Sequence, residues 1–278
     1  MSGLSFILAG RRARAAAATF CAGTLALAAG CSAGTTSSTA AKPPSARTAL
    51  ILAADQAERV TSMNASFSSQ ASGNAAENFT GTIQAQLKPI LVAELTGSIV
   101  VSDGTLNLTE ILTDKALYIK MAQLSKETGK PWVKVALSGL SGSQGALLSQ
   151  MVNSVKNDNP AQQITMVSAS KNVRATGTRV IDGVRTTEYT GSFTAAAAMA
   201  VLSPGQRQTL GPELKQIKGQ AHFAEWIDAQ HQVRRSTITE TVNDEHVTLT
   251  YSIAAFNEPV HIALPRPRQV ALLPAGSL

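Results

Sequence analysis

Along the chain the apolar positions change period several times, and each change marks an element boundary. In residues 48–63, Leu50, Ala54, Ala57 and Val60 fall near one face of a helix, with Asp55, Glu58 and Arg59 on others. From Ala65 onward the chain becomes strand-like, and residues 79–87, 91–101, 106–112 and 116–121 alternate apolar and polar, the period of strands with one buried face. Gly97, Asp103-Gly104 and Thr113-Asp114 read as the turns between them, and residues 131–137 as a further strand.

Residues 144–155 then place Leu147, Leu148, Met151 and Val155 at helical spacing. Pro160 opens a second short helix through Ile164 and Val167. Strands return after Lys171, where residues 178–181 and 184–193 flank Asp182-Gly183, a two-residue hairpin signal. Residues 194–202 and 206–217 read as helices broken by Pro204-Gly205. Residues 220–227, 232–242 and 246–254 form an antiparallel meander, residues 259–264 a last short strand, and Pro265 and Pro267 end the ordered part. With short connections throughout, the prediction is α+β: a large antiparallel sheet with helices gathered on one face. Alternation leaves that face apolar, so helices or something else must cover it.

The first thirty residues have a different character. Arg11, Arg12 and Arg14 precede fifteen uncharged, mostly apolar residues, Ala15 to Ala29. That is the length of a signal-peptide core and shorter than the ~20 residues of a membrane-spanning helix. The sequence leaves open whether translation starts at Met1 or downstream. Leu27-Ala28-Ala29-Gly30-Cys31 resembles the bacterial lipobox, departing from it at Ala28, where leucine is commoner. Cys31 is then the diacylglyceryl-modified first residue of the mature chain; the alternative is an ordinary secretory signal with a chance cysteine. Arg11-Arg12 lacks the Phe-Leu-Lys that would follow in a twin-arginine signal. The other cysteine, Cys21, leaves with the signal, so the domain has to be stable without a disulfide. Two acyl chains anchor stably where one binds marginally, at ~0.8 kcal/mol per buried CH₂.

The expected organisation is therefore a lipoprotein signal peptide at 1–30 and a Ser/Thr/Pro-rich tether at 31–47. A single domain follows at 48–268, with a tail at 269–278. A coil of the tether's length spans about 20 Å, which holds the domain near the membrane without immersing it.

Composition narrows the function. The precursor's net charge is +6, but three arginines lie in the signal segment and no acid does. The mature balance is +3, from 21 basic and 18 acidic residues. With aromatics at 4% and no basic run, nothing points to nucleic acid. His222, His231, His246 and His261 have no metal-ligand spacing, and no cofactor motif is present. Gly139-Leu-Ser-Gly-Ser143 fails the nucleophile-elbow pattern at its last position. Asp114, Glu188 and Glu240 read as solvated acids. The expectation is a non-enzyme without metal or catalytic residues.

Three stretches carry a family likeness. Ala116-Leu-Tyr-Ile-Lys120 followed by Gly129-Lys-Pro-Trp-Val-Lys134 resembles a recurring strand pair. Residues 180–191 resemble a central hairpin, and residues 247–256 with Pro259-Val-His-Ile262 and Pro265 resemble closing strands. With the lipobox and tether, the chain resembles the LppX/LprG-type (LprA/F/G) lipoproteins of actinobacteria over most of residues 48–268. The resemblance implies a curved, half-open antiparallel β-barrel similar to LolA and LolB, with helices packed on its concave face. It also implies an apolar cavity for acyl chains of a lipid or lipoglycan ligand, carried or presented across the cell envelope. The chain would be a monomer on the outer face of the cytoplasmic membrane. Leu147, Leu148, Met151, Ile164, Met166, Met199 and Leu202, on apolar helix faces, are the candidate cavity residues. The competing reading is an anchored cell-wall interaction or sensor module with a filled core and no lipid; an unrecognised hydrolase is a third.

Overall fold

Ser45 caps helix α1 (Ala46–Ala57): its hydroxyl accepts a hydrogen bond from the Thr48 N–H at 3.2 Å. The computed structural model describes residues 44–72, 78–101, 104–136, 160–242 and 245–272. Cys31, the predicted helix at 144–155 and its Leu147, Leu148 and Met151 lie outside the described residues.

The first helix is shorter than predicted. It ends at Ala57, and Ser62 already begins strand β1 (Ser62–Ser72). Met63, which suits a helical stripe equally well, pairs with Ala85 and Phe256 instead. Asn257 Oδ1 takes the Thr61 N–H at 2.8 Å, a donor that a continuing helix would need.

Four more strands follow: β2 (Asn78–Gln86), β3 (Val92–Val101), β4 (Gly104–Thr113) and β5 (Ala116–Met121). Helix α2 (Ala122–Thr128), ended by Gly129 at φ 65°, was not predicted. None of its residues is buried and only Leu124 packs on the core, so it has no stripe to read. Then come β6 (Trp132–Ala136), α3 (Pro160–Val167), β7 (Arg174–Ile181) and β8 (Val184–Thr194). Asp182 and Gly183 both take positive φ, 48° and 79°, as the predicted hairpin requires.

Helices α4 (Ala195–Val201) and α5 (Pro204–Leu214) come next. Pro204-Gly205, read as a break, is the first turn of α5. Ser203 Oγ accepts from the Gln206 N–H at 3.3 Å, and Gln206 Oε1 accepts from the Ser203 N–H at 2.9 Å. That reciprocal pair is a capping box, with proline where a missing N–H is harmless.

The meander forms as β9 (Gln220–Asp228), β10 (Val233–Val242) and β11 (Glu245–Phe256). The predicted strand at 259–264 does not form: that segment has no ladder partner among the described residues. The last strand is β12 (Val270–Leu272), past the predicted end of order, parallel to β6.

The twelve strands among the described residues make one sheet in the order β12-β6-β5-β4-β3-β2-β1-β11-β10-β9-β8-β7. Every pairing except β12–β6 is antiparallel, and among the described residues nothing joins β7 to β12, so the sheet stays half-open. One face carries the helices. The main core joins Leu50 and Ala53 of α1, Ile164 and Val167 of α3, Ala198 of α4 and Leu210 and Leu214 of α5 to sheet residues such as Met63, Ala65, Phe223, Ile238 and Ile253. The other face is rich in threonine and serine, with cross-strand hydroxyl pairs at Thr237–Thr250 (3.2 Å) and Thr239–Thr248 (3.1 Å). No helix among the described residues is long and apolar enough to cross a membrane.

Gly97 proves not to be a turn residue. It lies in mid-strand on the helix-bearing face, opposite Gly81, and a Cβ there would come within 2.6 Å of the Phe79 ring. A Cβ on Gly81 would meet Phe67 Cζ at 2.8 Å. The two rings, 4.9 Å apart, therefore lie across bare backbone rather than standing up from it.

Candidate functional site

On β2 to β5 the register arranges the helix-bearing face as a grid. One row runs Phe79, Ile99, Leu106; the next Gly81, Gly97, Leu108, Met121; the next Ile83, Leu95, Glu110, Ile119; the last Ala85, Ala93, Leu112, Leu117. Three buried clusters border it: the helical core, an aromatic cluster of Phe67, Phe79, Ile99 and Tyr251, and a third of Leu91, Leu112, Leu117, Ile119 and Val135.

Where these clusters meet, the face is apolar yet incompletely covered. Ile83, Leu95, Leu108 and Met121 are half-buried, and Leu106 is 43% exposed. Ile83 touches the helical core, Leu95 the aromatic cluster, and Leu108 and Met121 the third, so this strip is a seam between packed regions. Phenyl rings lying across Gly81 and Gly97 keep its floor low. Apolar side chains continuous with a core but reachable from outside are the property of a surface that takes an apolar guest.

Two of the carboxyls on this face stand among apolar neighbours. Glu110 faces Leu95 on one side and Ile119 on the other, between Leu108 and Leu112 on its own strand. Burial raises its pKa above the ordinary glutamate value. Glu225 sits between Phe223 and Ile227 on β9, wholly buried. Burial pushes its pKa up to about 8, against a smaller opposing pull from the Ser236 hydroxyl. That hydroxyl donates to Glu225 Oε1 at 2.8 Å, while Oε2 has no partner among the described residues. At neutral pH the Glu225 carboxyl is therefore mostly protonated and adds no net charge to the apolar face.

Sequence reading passed over both. The usable signal was parity: Leu106-x-Leu108-x-Glu110-x-Leu112 and Ala221-x-Phe223-x-Glu225-x-Ile227 each put a glutamate in register with inward apolar residues.

Of the predicted cavity residues, Ile164 and Leu202 are packed into the helical core at 1% and 2% exposure. Met166 and Met199 are half-buried at its margin. Met199 lies over Gly211, where a Cβ would sit 3.2 Å from its Cε. The helix residues are brought together around one core, while the reachable apolar strip is on strands that the prediction did not single out. Among the described residues no group of three His, Cys, Asp or Glu is placed to hold a metal.

No protein-family model matches the chain, and no curated protein matches it in sequence. Solved structures do. LprF from Mycobacterium bovis is 15% identical, covering 79% of this chain and 96% of that one, with a TM-score of 0.50. The lipoprotein LppX from Mycobacterium tuberculosis is 18% identical over 78% of this chain and 98% of that one, at TM-score 0.48. A LolA superfamily protein from Nitrosomonas europaea is 11% identical over 78% and 96%, at TM-score 0.30. The likeness to LprF is the one that bears on architecture: the open antiparallel sheet with helices on one face is the fold that this chain shares with LprF.

Proposed function

We propose that this chain is an envelope lipoprotein that shelters acyl chains of a lipid or lipoglycan on the helix-bearing face of its sheet and carries or presents them across the cell envelope. Cys31 anchors it by a diacylglyceryl group to the outer face of the cytoplasmic membrane, and the tether gives the domain reach. It acts as a monomer. The observation that supports the reading is the seam of half-buried Ile83, Leu95, Leu108 and Met121 with the exposed Leu106, between three buried clusters.

The energetics suit the task. Hiding hydrocarbon contributes about 25 cal/mol per Å², or ~0.8 kcal/mol per CH₂. A sixteen-carbon chain thus gains on the order of 10 kcal/mol before association costs, enough to hold it without a charged headgroup contact. Met166 and Met199 at the margin of the helical core, with unbranched adaptable side chains, let that border adjust to guests of different width.

The test is native mass spectrometry of the mature domain purified in mild, detergent-free buffer from a host making envelope lipids. Acyl-chain species bound near one per protein are expected. A domain that carries no lipid, and binds instead a protein from the envelope, would replace this reading with that of an anchored interaction module.

A further inference from the structure

The seam is apolar on every strand that crosses it except at Glu110. Its immediate neighbours on the face are Leu108 and Leu112 along β4, Leu95 across β3 and Ile119 across β5. The residue is half-buried, so its carboxyl is reachable from the seam, unlike that of Glu225. Among the described residues no hydrogen bond or ion pair reaches it. A carboxyl in an apolar wall without a partner is costly, and the cost falls if a guest supplies the missing hydrogen bond.

We propose that Glu110 is a specificity residue of this acyl site, binding an uncharged hydroxyl or ester group that the guest carries within its apolar body. The inference rests on the function proposed above and narrows it to a ligand class. Hydroxyl- and ester-bearing acyl lipids are favoured over plain hydrocarbon. The raised pKa of Glu110 agrees with this chemistry, because an uncharged carboxyl both donates and accepts. An ester carbonyl takes its O–H, and a hydroxyl donates to its C=O. A free fatty-acid anion gains less at this position, since the apolar wall disfavours the anion's own charge.

The experiment compares two probes with the same fluorophore and chain length, a monoacylglycerol and an alkane. They are titrated into the wild-type mature domain and into Glu110→Gln and Glu110→Leu. The wild type should bind the monoacylglycerol about tenfold more tightly than the alkane, the scale of one or two net hydrogen bonds. Glu110→Gln, which keeps a donor and an acceptor, should hold most of that preference. Glu110→Leu should reduce it to about twofold while binding the alkane at least as well, which a merely unfolded variant would not do. Tight alkane binding with no preference in the wild type, or a preference that survives in Glu110→Leu, overturns the assignment of Glu110 alone. Failure of the wild type to take up either probe overturns the acyl site and this inference together.

Discussion

Replacing Glu225 with glutamine should flatten the dependence of folding stability on pH. The carboxyl titrates near 4.5 when exposed and about 8 in the fold, because burial disfavours its charge. Below the lower value both folded and unfolded chains hold the proton, and the group adds no pH dependence. Between the two values the unfolded chain releases a proton that the folded chain keeps, so stability falls as pH rises. The slope is about 1.4 kcal/mol per pH unit, and the loss on the order of 5 kcal/mol by the time pH passes the upper value. Glutamine matches the shape, retains an oxygen for the Ser236 hydroxyl and never ionises. Urea denaturation from about pH 5 to about pH 9 should therefore show Glu225→Gln gaining several kcal/mol over wild type at the alkaline end. Near pH 5 the two should differ by about 1 kcal/mol or less. Glu110 adds a slope of the same sign in both proteins, so their difference isolates Glu225. Parallel pH profiles would mean that Glu225 is solvated in solution.

Leu95→Lys should weaken acyl-chain binding by at least about tenfold, and Thr96→Lys should leave it unchanged. The two residues are adjacent on β3 but on opposite faces. Leu95 lines the seam beside the aromatic cluster, while Thr96 is exposed on the threonine-rich side. An ammonium group in the seam has to be stripped of water for hydrocarbon to lie against it, at a cost of several kcal/mol. Leu95 is only half-buried, so a lysine there can reach water and the fold survives. The pair controls for charge, since each variant adds one lysine to the same strand. A fluorescent fatty-acyl probe titrated into both reads the difference directly. Equal affinities would remove the seam from the binding surface.

Much of the sheet was legible because strands such as β2 and β6 alternate buried and more exposed positions. Asp182-Gly183 was legible because few dipeptides accept positive φ twice. The failures each have a local cause. Met63 fits both the helical and the strand period, so the end of α1 depends on the partners that Ala85 and Phe256 supply. Gly97 was read as a turn because glycine usually marks one, whereas here it makes room for the Phe79 ring, a contact set by strand register. The three-residue β12 carries no period and is fixed only by β6.

The site was harder than the fold. Helical apolar stripes drew attention to Ile164 and Leu202, yet a stripe records burial without saying whether the covering atoms belong to the protein or to a guest. Partial exposure of Leu95 and Leu108 makes that distinction, and it depends on where three clusters stop, which no single strand encodes. Glu110 and Glu225 were visible as parity violations, once each strand's inward set was known.

Crystals of the mature domain grown with a fatty acid brominated along its chain test the central claim most directly, through anomalous scattering at the bromine. The expected result is bromine along the seam, in contact with Leu95 and Leu108 and above the rings that cover Gly81 and Gly97. Bromine confined to the threonine-rich face or the sheet edges, with the seam closed by the protein's own side chains, would contradict it.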